Sequence, residues 1–183
     1  MKGLKICVGI LMVILLSGFA PETWVKIQSK DNKFSIEFPR KPEESERKIQ
    51  TEIGELNMNV VIHEVGKYKD ENSVYGVIYS DYPDSLVNSD FKDEYIDEFF
   101  ENAIKGTVSN LKGQIIEEKR VLLSTYPGRE VKISFMEGQG IMKLHVYLVK
   151  NRAYILEVGC ETKNDNNKSM ERFFNSFVLK EKK

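Results

Sequence analysis

Ile141-Met142-Lys143-Leu144-His145-Val146-Tyr147-Leu148-Val149-Lys150, then Asn151-Arg152, then Ala153-Tyr154-Ile155-Leu156-Glu157-Val158-Gly159 is the stretch that decides the fold. Two runs of aliphatic and aromatic residues, parted by a polar pair suited to a turn, read as two strands of a β-hairpin. The pattern continues toward the N-terminus. Ile115 to Leu123 and Arg129 to Met136 read as two more strands, with turn chemistry at Tyr126-Pro127-Gly128 and at Glu137-Gly138-Gln139-Gly140. Proline at the second and glycine at the third position of a turn predict a type II bend at Tyr126-Pro127-Gly128. Arg129 and Glu130 then begin the next strand on opposite faces. Four strands on short turns predict an antiparallel meander.

Before the meander, a helix is expected from about Asp90 to Leu111, because Phe91, Tyr95, Phe99, Ala103, Ile104, Val108 and Leu111 recur every three or four residues. Ser89 or Asp90 is the expected cap, Asp93 and Glu94 suit the positive end of the helix dipole, and Gly113 closes the other end. The outward face, Asp97, Glu98, Glu101, Asn102 and Lys105, reads as solvated surface. After the meander, a polar loop from Thr162 to Asn167 leads into a short helix, about Lys168 to Phe177, with Met170, Phe173, Phe174 and Phe177 inward. Nearer the start, Trp24 to Ile27 and Phe34 to Phe38 alternate as strands around the polar turn Lys30-Asp31-Asn32-Lys33, and Pro39 and Pro42 end the second. Lys48 to Ile53 and Leu56 to Val65 read as a hairpin bent at Gly54, and Val74 to Tyr82 as a strand closed by Pro83. The order predicts an α+β fold, an antiparallel β-sheet with helices packed on it.

The chain has 183 residues, 41% of them hydrophobic and 30% charged, which suits one packed domain, here 21–183. The first twenty residues read as a signal peptide: Lys2 and Lys5, an apolar run from Ile6 to Leu16, and small residues up to a cut after Ala20, although Pro21 is unfavourable just beyond such a cut. The alternative is an uncleaved anchor, whose apolar stretch of ~22 Å falls short of a ~30 Å hydrocarbon core. Export places the protein in the periplasm or outside the cell, with a membrane as partner only if the leader stays. Taking Lys2 and Lys5 from the 27 basic residues leaves 25 against 28 acidic ones, which supplies no positive field for nucleic acid. Cys7 lies in the leader, so Cys160 has no partner for an internal disulfide and reads as a small buried residue.

No reactive constellation emerges. His63 and His145 each fall inside an expected strand, with no ligand at metal spacing, so neither a metal nor another cofactor is expected. Gly138-Gln139-Gly140 reads as a turn, and Asp81, Asp84 and Asp90 as a solvated loop and not a calcium site. Two features stand slightly above this background. Tyr75, Tyr79, Tyr82 and Tyr126 are candidates for a recognition surface, with packing as the plainer role. Arg129 and Glu130 are candidates beside Tyr126, with a structural ion pair as the plainer role.

Asp31-Asn32-Lys33-Phe34-Ser35-Ile36-Glu37-Phe38-Pro39 with Lys41-Pro42, the Tyr126 to Glu130 turn, Arg152-Ala153-Tyr154 and Phe173-Phe174-Asn175-Ser176-Phe177 together resemble a group of small exported bacterial proteins of unknown function. The element order is similar to the Mog1/PsbP-like fold, an α/β/α sandwich. The resemblance implies binding or assembly-stabilising roles and carries over no catalytic residue. Two expectations result. The first is an exported non-enzymatic binding or assembly module, engaging a protein partner or small ligand through Tyr126, Arg129, Glu130, Tyr79 and Tyr82. The second is a small envelope enzyme, a hydrolase built on His63 or His145, or else an apolar-ligand carrier with a cavity between the sheet and the long helix.

Overall fold

A computed structural model describes residues 24–51, 54–66 and 70–180, so the leader expected over Met1 to Ala20 lies outside the described residues. In chain order the elements are β1 (Val25–Gln28), β2 (Phe34–Phe38), β3 (Glu43–Thr51), β4 (Gly54–Glu64), β5 (Asn72–Asp81), α1 (Asp93–Leu111), β6 (Gln114–Leu123), β7 (Tyr126–Phe135), β8 (Gly140–Val149), β9 (Arg152–Glu161), a 3-10 turn at Thr162–Asn164, α2 (Lys168–Asn175) and β10 (Val178–Leu179). Seven strands form one antiparallel sheet in the order β3-β4-β5-β9-β8-β7-β6, and β1-β2-β10 form a second. The expected meander is β6 to β9. Its last strand pairs with β5, Asp81 opposite Arg152, which joins the meander to the earlier hairpin across the whole length of α1.

Strand parity builds two cores. Met142, Leu144, Val146 and Leu148 of β8 face α1 together with Val131 and Ile133 of β7. Ile141 and Tyr147 of β8, with Tyr154, Leu156 and Val158 of β9, face the opposite way. There they meet Phe34, Ile36 and Phe38 of β2 and Met170, Phe173 and Phe174 of α2. The large sheet therefore has α1 on one face, and a small sheet together with α2 on the other. Strands buried on both faces sit at the centre. The edge strands β3 and β6 are largely exposed and charged, and β6 is broken by a register shift between Ile115 and Glu117. Such charges and bulges keep an open edge from pairing with other chains.

Several local expectations shift. α1 starts at Asp93, its preceding Lys92 offers no side-chain cap, and Ser89 and Asp90 bind Lys150 instead. The buried stripe of α1 is Ile96, Phe100 and Ile104, while Phe91 and Tyr95 point to solvent. At its C-terminus Lys112, not Gly113, takes the left-handed conformation at φ 50°, and the Gly113 amide closes the helix by donating to the Val108 carbonyl. The hairpin after β6 turns at Ser124 and Thr125, between paired Leu123 and Tyr126. Pro127 and Gly128 lie inside β7, and there is no type II bend at them. Gly128 is required by close approach, because a Cβ there would fall 2.4 Å from Tyr147 Cδ1. In the first hairpin Thr51 pairs with Gly54, so Gly54 opens β4 and the bend falls outside the described residues.

Candidate binding groove

The chain leaves β5 at Tyr82 and Pro83 and does not run straight into the helix. The Leu86 and Val87 amides donate to the Pro83 carbonyl, and the Asp90 amide donates to the Asn88 side chain at 2.9 Å. Tyr82 and Asn151 hold each other, the Tyr82 amide donating to the Asn151 carbonyl and the Asn151 side chain donating to the Tyr82 carbonyl. Ser89 and Lys150 do the same through their amides. The segment before α1 is thus tied to the tip of the β8–β9 hairpin.

Between this segment and the flank of α1 lies an open groove of about 540 Å³. That volume is typical of ligand sites. Tyr82, Leu86, Val87, Phe91, Tyr95 and Phe99 supply its apolar lining, with Leu148 of β8 beside them. Tyr82 packs edge-on to Phe99 at 5.4 Å. Leu86 is 52% exposed, Tyr95 59% and Phe91 38%. Three large apolar side chains held in water around one concavity make it a candidate contact surface, since isolated exposed residues of this kind would be ordinary.

The five candidate residues read from the sequence do not come together. Tyr79 is buried against Phe34 and Tyr154, and Arg152 stacks over it. Arg129 is buried on the α1 face, where it pairs with Asp97 and covers the Phe100 ring at 4.8 Å. Glu130 points to the opposite face and pairs with Lys119 and Lys143. Tyr126 lines a separate depression with Val149, Leu179 and Lys180. Tyr82 alone belongs to the groove. Leu86, Phe91 and Tyr95 were not singled out as contact residues. Tyr95 belongs to an apolar arc on α1, through Ile96 and Phe99 to Phe100, that is wider than one sheet contact can cover, while Leu86 and Phe91 lie before the helix and so outside its period.

Neither histidine lies in an open cleft. His63 is half-buried over Tyr75, and burial lowers its pKa. His145 Nδ1 is 3.1 Å from the Tyr147 hydroxyl and its Nε2 is 3.6 Å from Glu130. The ring is sealed by Phe174, stacked at 4.0 Å. Burial pushes its pKa down to about 4, against the pull of Glu130, and Lys143 and Lys119 push the same way as burial. A ring that holds its proton so weakly and meets no open cavity is a poor general base. Cys160 is buried, and burial raises its thiol to about 11, which makes it an inert thiol. Asp81, Asp84 and Asp90 diverge, binding Arg152, Asn88 and Lys150 respectively.

Among solved structures, the solution structure of cyanobacterial PsbP (CyanoP) from Synechocystis sp. PCC 6803 superposes with a TM-score of 0.58, over 89% of this chain and 96% of that one. The chain has a PsbP-like fold. Identity between the two is 10%, so what they share is the arrangement of elements. No protein-family model matches the sequence, and no curated protein does.

Proposed function

We propose that this chain is an exported, non-enzymatic binding module that holds a partner in the groove beside α1. The observation that carries this reading is the exposure of Leu86, Phe91 and Tyr95 around a concavity whose backbone is pinned by hydrogen bonds. A preorganised apolar surface loses little entropy on binding, which is what a recognition site needs. The space directly under α1 is filled by Ile96, Phe100 and Ile104, which speaks against a carrier cavity there. The buried, weakly basic His145 speaks against hydrolysis. Export rests on the leader residues Lys2, Lys5 and the apolar run that ends before Ala20. It places the module in the periplasm or outside the cell.

In-cell photocrosslinking tests the reading. A photoreactive residue at position 95 should give a recurrent adduct, and the same residue at exposed position 46 on β3 should not. Adducts from neither site, or equally from both, would remove the groove assignment. Intact-mass analysis of envelope fractions tests export, with loss of Met1 to Ala20 as the expected result.

A further inference from the structure

The rim of the groove has a charge that its lining does not need. Between Asp81 and Glu101 the acidic residues are Asp81, Asp84, Asp90, Asp93, Glu94, Asp97, Glu98 and Glu101, and Lys92 is the only basic one. Asp81, Asp90 and Asp97 are used internally by Arg152, by Lys150, and by Arg120 with Arg129. Asp93, Glu94, Glu98 and Glu101 are exposed and make no ion pair with another described residue. Glu98 itself lines the groove. Carboxylates one helical turn apart repel each other, and spacings of this size lie within the ~10 Å screening length of dilute salt, so their fields add. Glu101 faces the neighbouring depression, where Lys119, Arg120 and Arg129 offset its charge, whereas Glu98 on the groove and Glu94 one turn before it have no ion-pair partner among the described residues, so the apolar trough carries a negative edge.

Resting on the binding reading above, we infer that the occupant is a basic amphipathic segment of a partner protein. Its apolar side chains fill the trough against Leu86, Phe91 and Tyr95, and its Lys or Arg heads reach the carboxylates of Glu94 and Glu98. Long basic side chains suit this geometry because their stems lie along apolar surface while the charged head stays in water. An anionic lipid surface is repelled by the same rim. A neutral apolar ligand leaves the carboxylates unused, and an open trough does not enclose it.

The test uses the full chain in its own cells, with the photoreactive residue at position 86 or 95 and sequencing of the attached peptide. The expected peptide carries several Lys or Arg among Leu, Ile, Val or Phe. Adduct yield is expected to fall about tenfold when Glu94 and Glu98 are changed together to Gln, because rim charges act mainly on encounter and register. Glu43→Gln with Glu46→Gln on β3, equally exposed, should leave the yield unchanged. Both sets lie on the surface, and circular dichroism confirms that each variant folds. An acidic or uncharged peptide, a lipid adduct, or a yield indifferent to the two glutamates overturns this inference while the binding reading stands. No adduct from either groove position overturns both.

Discussion

Glu157 lies on β9, between Gly76 of β5 and Leu144 of β8, on the face of the sheet that carries α1. Its side chain lies across Gly76, where a Cβ would come within 2.8 Å of it, and burial raises its pKa. The folded state therefore holds the proton more tightly than the unfolded chain does. Stability is lost as pH rises through that raised value, and Glu157→Gln should raise the melting temperature at pH 7. The gain should shrink as pH falls towards the ordinary carboxylate range, where both states hold the proton. A variant no more stable at pH 7 than the parent would show that the carboxylate is solvated. His145 has the opposite sign. Its folded pKa of about 4 lies below the ordinary 6.5, so the unfolded chain takes the proton first and stability falls as pH drops between those values. The expected loss is on the order of 2–3 kcal/mol. Asp31, Asp81 and Glu130, all lowered, add losses at more acidic pH. His145→Gln should flatten the melting curve between pH 6.5 and 4, and identical pH profiles for parent and variant would rule this out. Sequence could place His145 inside a strand but not beneath Phe174, because that stacking joins β8 to α2.

At the scale of elements, the two helices are capped unequally. α2 begins at Asn167, whose side chain accepts from the Met170 amide at 2.8 Å and exchanges hydrogen bonds with Asn72 of β5. Asn167→Ala removes both the cap and a cross-link to the sheet, and a loss of about 1–2 kcal/mol in chemical denaturation is expected. α1 begins after Lys92, whose backbone already has cap geometry, φ −62° and ψ 147°, without a capping side chain. Lys92→Ser should therefore stabilise by about 0.5–1 kcal/mol. Denaturant midpoints check both changes, and a Lys92→Ser protein with an unmoved midpoint would mean that the amides are satisfied by water. The inner face of α2 was legible in the sequence because Met170, Phe173 and Phe174 are all buried and few other apolar residues compete, although the helix ends at Asn175 and the buried Phe177 lies just beyond it. On α1 two stripes compete, one through Tyr95, Phe99 and Ala103 and one through Ile96, Phe100 and Ile104. Periodicity alone does not say which of them the sheet will take.

For the whole molecule, the pairing of β5 with β9 decides cohesion. The Arg152 Nε bond to Asp81 spans 71 residues of chain at 2.6 Å, and Arg152 also pairs with Asp31 from the loop before β2. Both sheets and the β8–β9 tip therefore meet at one buried guanidinium. Hydrogen exchange should show β5, β8 and β9 opening last and together, while the exposed edges β3 and β6 exchange early. Protection of β6 equal to that of β9 would contradict this order.

By itself the sequence determined the α+β class, the antiparallel meander, the position of both helices and the inner face of α2. Each of these rests on period and turn chemistry within a few neighbouring residues. The tertiary structure alone decided that β5 joins β9, that a small sheet and α2 share one face, and that α1 turns Ile96, Phe100 and Ile104 inward. It also placed Tyr79 and Arg129 in the interior and gathered Leu86, Phe91 and Tyr95 around an open groove. The reason is physical: local pattern states which side chains avoid water, but a helix with two apolar stripes can bury only one against a single sheet. Which stripe stays exposed depends on contacts between segments far apart in the chain.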